Sequence, residues 1–309
     1  MKQIAISFLL LLMLTGPVNA VSYRDISEVG SSAEMIGIGN IQGYSKTAAV
    51  LFENPVGLKN VGNSVSLFYT TFFGEESRYM ATAISFVPYS QLTLGAGLMT
   101  EEVVNNDVTA IANDASIISV GSFDVKNSQF TVGGSYQMNN QTVLGASLIH
   151  YLSQLHTISG SGQDVMLGFQ SHYSFVDIQG FGKNIFGSKI RYSNGGQETL
   201  KTSWGVSLKT DPFSSMMNAE FFWQGKILLT DLDSTVFLKS VGLRVYPLKT
   251  PIFQVGVGYR DIYNGNGIKG SFSVGVSTKL STLSLEYAYN TTDVYQQESQ
   301  HYFSVAIRY

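Results

Sequence analysis

Apolar residues recur at every second position through most of the chain from residue 64 onward, and this alternation constrains the fold more than any other feature. In the stretch 282–290, for example, Leu283, Leu285, Tyr287 and Tyr289 alternate with small or polar residues. The same alternation occurs at 203–209, 253–260 and 271–277. A period of two places one kind of side chain on each face of a β-strand, whereas an α-helix has a period of about 3.6. The sequence therefore predicts an all-β protein whose strands have one apolar and one polar face.

The stretch 303–309 distinguishes between two all-β folds that share this alternation, a soluble sandwich and a membrane barrel. Its apolar face would carry Phe303, Val305, Ile307 and Tyr309, and the sequence stops on the last of these residues. The final strand of an outer-membrane barrel pairs with the first and leaves no open edge, and aromatic residues ring its apolar band. This ending resembles the C-terminal signal that the barrel-assembly machinery reads, which implies that machinery as a partner. We predict a transmembrane antiparallel β-barrel in the bacterial outer membrane, surrounded by lipid and lipopolysaccharide.

The composition favours a membrane location and excludes one class of partner. Charged residues make up 13% of the chain, whereas soluble domains average about 25%. A surface so poor in charge suits lipid better than water. The formal net charge is -3, and no block is rich in Lys and Arg. The chain therefore lacks the basic patch that a nucleic-acid-binding protein needs to contact phosphates.

The first twenty residues have the organisation of a cleaved signal peptide. Lys2 supplies a short positive region, residues 4–14 are apolar, and small residues precede the expected cleavage after Ala20. As a helix rising about 1.5 Å per residue, this apolar stretch is too short to cross about 30 Å of hydrocarbon. We predict that residues 1–20 are removed on export and that the mature chain begins at Val21.

The alternating stretches and the turns between them predict about fourteen strands in a barrel domain at 63–309. The expected strand centres are Leu67, Ala83, Leu94, Val132, Ala146, Leu167, Ile178, Val206, Ala219, Leu243, Val255, Val274, Leu285 and Val305. An even number of strands places both ends of the barrel on the periplasmic side. The apolar parity changes near Lys239 and Ser240, which predicts a β-bulge there. The acidic stretch 101–127 follows the third strand and is expected to be a solvated extracellular loop.

Residues 21–62 lack the alternation and form a separate segment before the first strand. The lumen of a barrel of about fourteen strands is wider than its own lining side chains can fill. We therefore predict that this segment is a plug. Five ionisable residues would line the lumen on the polar face of the strands: Lys209, Glu220, Arg260, Glu286 and Arg308. They would keep the wall hydrated and pair with the plug, or alternatively select the solute.

The predicted plug contains the run Asn54, Pro55, Val56, Gly57 and Leu58. Pro55 suits the start of a helical turn and Asn54 can cap it. The run resembles the Asn-Pro-Ala-Gly-Leu signature near the N-terminus of the FadL-like outer-membrane barrels, a superfamily that includes the PorV/PorQ-type proteins, with Val56 in place of alanine. The stretch 180–187 is similar to the mid-barrel turn of the PorV-type subgroup.

The resemblance implies one of two functions. The first is a porin-like channel that transports hydrophobic or small solutes across the outer membrane. The second is a PorV-like barrel that transports nothing and acts as a docking or shuttle component for an exported protein. Both functions stay open on the sequence alone.

The sequence contains no recognisable catalytic, cofactor or metal motif. The histidines at 150, 156, 172 and 301 have neither the spacing nor the neighbours of a metal site or a catalytic triad. The acidic residues of the stretch 101–127 match no calcium loop. We therefore expect a protein that is not an enzyme and needs no cofactor or metal ion.

Overall fold

The computed structural model describes residues 26–72, 77–111, 117–213, 218–229, 235–250, 252–263, 267–292 and 299–309. The predicted signal peptide and the first residues of the predicted plug lie outside these ranges. Before the first strand, the chain forms short 3-10 helices at Ile26–Val29, Ala48–Phe52 and Pro55–Asn60, and one α-helical turn, α1, at Ala33–Ile36. Among the described residues, no helix is long and apolar enough to cross a membrane.

The rest of the described chain is almost entirely β-structure, rich in the β-branched and aromatic residues that fit a pleated surface. Its strands are β1 (Ser64–Phe72), β2 (Ser77–Tyr89), β3 (Leu92–Ile111), β4 (Ile117–Asn139), β5 (Thr142–Leu155), β6 (Ile158–Tyr173), β7 (Val176–Lys183), β8 (Lys189–Tyr192), β9 (Gln197–Thr199), β10 (Ser203–Thr210), β11 (Asn218–Leu229), β12 (Thr235–Tyr246), β13 (Phe253–Tyr263), β14 (Ile268–Leu280), β15 (Leu283–Asn290) and β16 (Gln300–Arg308).

Fourteen of these strands close into an antiparallel barrel. Consecutive strands pair from β1 to β7, β7 pairs with β10, and consecutive pairing resumes from β10 to β16. The ring closes between β16 and β1, where Ser64 lies opposite Arg308 and Tyr69 opposite Phe303. The short strand β8 pairs with the start of β6, β9 pairs with β8, and neither is one of the fourteen strands of the ring. The predicted fold and strand number are confirmed, and every predicted strand centre lies in a barrel strand.

The two ends of the barrel differ in their connections. At the terminal end, where β1 begins and β16 ends, two-residue turns join β2 to β3, β4 to β5, β6 to β7 and β14 to β15. At the opposite end, called the far end below, β3 and β4 extend well beyond their neighbours, and the connection from β7 to β10 carries β8 and β9.

The outer face of the barrel is apolar and the inner face is mostly small or polar. In β14, Phe272 is 63% exposed and Val274 is 49% exposed, while Ser271 and Ser273, which alternate with them, are buried. Exposed Phe303 and Ile307 alternate in the same way with buried Ser304 in β16. An exposed apolar band of this extent would be unstable in water and is typical of a wall that faces lipid. The predicted alternation is therefore confirmed.

The predicted loop at 101–127 is wrong. The ladder between β3 and β4 continues through it, from Glu101 opposite Asn127 to Ile111 opposite Ile117, with two register shifts on the way. The stretch contains Val103, Val104, Val108 and Thr109, β-branched residues that favour extended backbone. The stretch therefore lengthens a hairpin instead of forming a free loop.

The predicted bulge near Lys239 and Ser240 is also wrong. The register between β11 and β12 is continuous from Leu229 opposite Thr235 to Asn218 opposite Tyr246. Phe237 faces outward and is 55% exposed, while Leu238 faces inward and is buried. The apolar parity changes because an apolar side chain is tolerated on the inner face at the far end, so no extra residue is needed in the strand.

Tyr309 lies at the seam that closes the barrel, and its backbone N–H donates to the Asn63 carbonyl across that seam. We expect Tyr309→Ala to lower the yield of assembled barrel more than Tyr289→Ala, although both remove an outward aromatic ring. The reason is that Tyr289 sits within β15, between two formed ladders. The yield is measured as the fraction that migrates faster on gels before boiling than after it. Equal yields for the two variants would remove the special role of Tyr309.

Candidate functional site

Residues 26–62, called the N-terminal segment below, are packed against the inner face of the barrel wall. Phe52 belongs to one buried cluster with Phe68, Tyr79 and Tyr302, which project inward from β1, β2 and β16. On another side of the wall, Tyr44 packs edge-to-face on Phe222 of β11, with ring centroids 5.8 Å apart. The segment therefore has an apolar core that it shares with the barrel.

Glycines on the inner face of the wall let the backbone of the segment approach closely. A Cβ added to Gly242 of β12 would lie 2.2 Å from the Ile38 carbonyl oxygen, and one added to Gly258 of β13 would lie 2.1 Å from the Gly39 nitrogen. In β14, a Cβ on Gly275 would lie 2.8 Å from the Gly37 Cα. Real Cβ atoms do not come this close to backbone atoms, so larger residues at these positions would displace the segment.

The run 54–58 forms the turn that the sequence predicts. Asn54 caps the helix that starts at Pro55, because its Oδ1 accepts a hydrogen bond from the Val56 N–H at 3.3 Å. Its Nδ2 donates to Gln179 Oε1 of β7 at 3.1 Å, and Gln179 Nε2 donates to the Gly43 carbonyl at 3.0 Å. Gly57 is buried, and a Cβ there would lie 2.6 Å from the same Gly43 carbonyl oxygen. The run therefore joins two parts of the segment and ties both to the wall.

A buried group of charges joins α1 to the wall. Arg244 of β12 is 1% exposed, and its guanidinium lies 3.3 Å from Glu34 Oε1 and 3.0 Å from Glu220 Oε2. Lys279 of β14 lies 3.1 Å from Glu34 Oε1. Burial alone would raise the pKa of Glu34, but Lys279 and Arg244 outweigh it and lower that pKa to about 2. Glu34 is therefore a charged anchor at neutral pH.

A second buried carboxylate holds the segment together internally. Glu53 accepts hydrogen bonds from Ser31 Oγ at 2.8 Å and from the Gly43 N–H at 3.0 Å. Burial raises the pKa of Glu53 to about 7, because these two hydrogen bonds offset only part of the desolvation. The packed segment therefore favours the protonated form of Glu53, in contrast to Glu34.

All five residues that the sequence assigns to the lumen project from the inner face. Each has a contact there: Lys209 with Asp177 at 2.9 Å, Glu220 with Arg244 at 3.0 Å, Arg260 with the Glu28 carbonyl at 3.5 Å, Glu286 with Ser32 Oγ at 3.0 Å, and Arg308 with the Lys46 carbonyl at 2.6 Å. Three of these contacts are made directly to the N-terminal segment.

Sequence reasoning missed Arg244, Lys279 and Gln179, which make buried polar contacts to the segment. A signal for Arg244 existed, because it alternates with the apolar residues Leu243 and Val245 and so belongs to the inner face. Gln179 likewise follows the outward residue Ile178. Nothing local in the sequence indicates which inward residue would meet which part of the segment.

The connection from β7 to β10 leaves the wall at Asn184, which has a positive φ of 54°. The Asn184 side chain accepts from Tyr151 Oη at 2.7 Å and donates to the Lys201 carbonyl at 3.0 Å. The Asp164 carboxylate accepts from the N–H groups of Phe186 and Ser188. Ile190 and Leu200 of this connection pack with residues from the inner face of β5 and β6. The connection, which includes β8 and β9, therefore lies against the inside of the wall at the far end.

One group of side chains at the terminal end has atoms suited to a metal ion. Ligand atoms of His172, Asp177 and Asp211 lie within 4.8 Å of one another. The Asp177 carboxylate is already engaged, by His172 Nδ1 at 2.9 Å and by the Lys209 ammonium at 2.9 Å. The described contacts of this group are therefore those of an ion-pair network around Asp177.

The geometry defines a class of protein, a closed antiparallel barrel with an apolar outer band and with residues 26–62 packed on its inner face. The chain has the fold of the FadL-like outer-membrane barrels. It is similar to the toluene transporter TodX of Pseudomonas putida, with a TM-score of 0.62 and 12% identity over 91% of this chain and 99% of that one. A Pseudomonas aeruginosa FadL homologue gives a TM-score of 0.52 and 10% identity over 94% and 99% of the two chains.

By sequence, the chain matches no protein-family description and no curated protein. The similarity to TodX and to the FadL homologue therefore concerns the fold. It supports the FadL-like part of the predicted resemblance, and the PorV/PorQ subgroup is not confirmed.

Proposed function

We propose that the protein is an outer-membrane channel for hydrophobic or small solutes, with residues 21–62 as a plug in its lumen. The observation that carries the proposal is the seating of the N-terminal segment against the glycines of β12, β13 and β14, inside a barrel whose outer face is apolar. A lumen filled by a separate, polar-anchored segment can be opened by moving that segment, whereas a lumen filled by wall side chains cannot. The structural neighbours include a protein described as a toluene transporter and one described as a FadL homologue.

In this proposal, the terminal end faces the periplasm and the far end faces the outside of the cell. Four of the six connections at the terminal end are two-residue turns, whereas the far end has one, between β5 and β6. This difference supports the orientation, because outer-membrane barrels have short periplasmic turns and longer extracellular connections. The long β3–β4 hairpin and the connection with β8 and β9 would then project toward the exterior. Outer-membrane lipid and lipopolysaccharide would contact the apolar band.

The docking or shuttle function has no comparable support. It predicts a surface for an exported protein, and the exposed apolar residues of the described strands are distributed as a membrane-facing band instead.

Transport is tested by the entry of a hydrophobic probe into Gram-negative cells that produce the protein. We expect faster entry of a fluorescent naphthylamine than in cells without the protein, because lipopolysaccharide slows the passage of apolar molecules and a channel bypasses it. Gly57→Val should change the rate, since a branched side chain would meet the Gly43 carbonyl. Gly121→Val is the matched control, because a Cβ at Gly121 has no neighbour within 4 Å.

Two results would count against transport. One is entry at the background rate with correctly assembled wild-type protein. The other is an equal change of rate for Gly57→Val and Gly121→Val, which would show that the segment has no influence on passage.

A further inference from the structure

A small cavity remains between the N-terminal segment and the wall near the far end. Its volume is about 80 Å³. Its lining includes Glu28 and Gln42 of the segment, Lys201 just before β10, Gln224 and Lys226 of β11, and Arg260 of β13. The cavity can hold a group of only a few heavy atoms.

Positive charge exceeds negative charge around this cavity. Lys201, Lys226 and Arg260 supply three cations, and Glu28 supplies an inward carboxylate. Glu28 forms an ion pair with Lys226: the Lys226 ammonium lies 2.8 Å from Glu28 Oε1 and 2.6 Å from Glu28 Oε2. The neighbouring Asp261 carboxylate accepts from the Tyr259 hydroxyl and the Lys239 N–H, so it is engaged by residues of the outward face.

Arg260 is the unusual member of the lining. It is 4% exposed, and its Nε and Nη2 have no hydrogen-bond partner among the described residues. Its Nη1 reaches the Glu28 carbonyl only at 3.5 Å. A buried guanidinium that lacks a carboxylate is costly, since each unpaired donor forfeits its hydration. Gln42 Oε1, on the same cavity, also lacks a partner in the described part of the chain.

We propose that this cavity binds one small oxyanion, the carboxylate or phosphate group of a solute, with Arg260 as its principal contact. The planar guanidinium offers two parallel N–H donors that match two oxygens of either group. Lys201, which also lines the cavity, adds a second cation, and Gln42 Oε1 can accept from the protonated oxygen of a hydrogen phosphate ion. The inference concerns binding alone and goes beyond the proposed transport, which can fail without affecting it.

The test uses the full mature chain, purified in detergent and checked for assembly by its gel mobility before and after boiling. Sodium phosphate and sodium acetate are titrated separately at constant ionic strength, and heat is measured by calorimetry. We expect saturable binding of one anion per chain, with an affinity that falls at least about tenfold in Arg260→Gln. Arg191→Gln is the matched control, because it removes an exposed cation of β8 that does not line the cavity.

A second measurement does not depend on any variant. An anion that binds only the folded barrel raises its thermal unfolding temperature in proportion to the logarithm of its concentration. We expect this rise for the wild-type protein with the same anion that gives heat in the titration. Preference for phosphate or for acetate identifies which of the two groups the cavity takes.

Three results would overturn the proposal. The first is no saturable binding of either anion by wild-type protein, which would mean that water fills the cavity. The second is equal affinity in wild-type and Arg260→Gln proteins. The third is a thermal unfolding temperature of the wild-type protein that does not rise with the concentration of the anion that gives heat in the titration.

Discussion

Deleting residues 21–62 should leave a barrel that still assembles but conducts ions at least about tenfold better in planar bilayers, because fourteen strands enclose an aqueous lumen once the proposed plug is removed. Assembly should survive, since the ring of strand ladders closes between β16 and β1 without help from the segment. The inner face that would be uncovered is rich in Ser, Gln and charged residues, which water can hydrate. Single-channel recordings of the deleted and intact proteins measure the difference.

Smaller changes within the segment should act in the same direction. Pro55→Ala frees the backbone at the start of the helical turn, and Gly57→Val forces a side chain against the Gly43 carbonyl. Both variants are expected to conduct more than wild type and less than the deletion, while Gly121→Val stays at the wild-type level. Unchanged conductance after the deletion would show that wall side chains, or the connection with β8 and β9, fill the lumen. The proposal that residues 21–62 form a plug would then be wrong.

The barrel itself was predictable from the sequence because strand alternation is a local property. Successive residues of a strand face opposite sides of the sheet. The sequence therefore predicts that Phe303 and Val305 share one face, and likewise Phe272 and Val274, without knowledge of the strands that lie beside them. The same local rule failed at Leu238, because it assumes that every apolar residue faces lipid. A different rule failed at 101–127: the acidic residues predicted a solvated loop, but they occupy an extended hairpin.

The arrangement inside the lumen was predictable only in part. Strand parity alone assigns Glu220, Arg260 and Glu286 to the inner face, and the run 54–58 alone indicates Asn54 as a helix cap. The sequence does not predict that Arg244 meets Glu34, more than two hundred residues away, or that Asn184 turns the chain away from the wall. Those contacts depend on the path of the segment through a closed ring, which no local pattern encodes.

The ion pairs of Arg244 with Glu34 and Glu220 should be the strongest polar anchor of the segment. Arg244→Gln removes the cation between two buried carboxylates, and loss of one partner of a buried pair costs about 3–5 kcal/mol. Because Lys279 still faces Glu34, we expect the segment to loosen without unfolding of the barrel. The conductance should rise toward that of the deletion, and a protease added to detergent-solubilised protein should cut the segment faster.

The matched control is Arg308→Gln, the same substitution at another inward arginine, whose described contact is one backbone carbonyl of the segment. It should raise the conductance much less than Arg244→Gln. A double-mutant cycle supplies the second check. Glu34→Gln combined with Arg244→Gln should cost less than the two single changes added together, because the first removes the carboxylate that the second leaves unpaired. Two results would contradict this role of Arg244: strictly additive effects of the Glu34 and Arg244 substitutions, or equal conductance for the two arginine variants. Either would show that the glycine contacts and the apolar core hold the segment and that the buried charges contribute little.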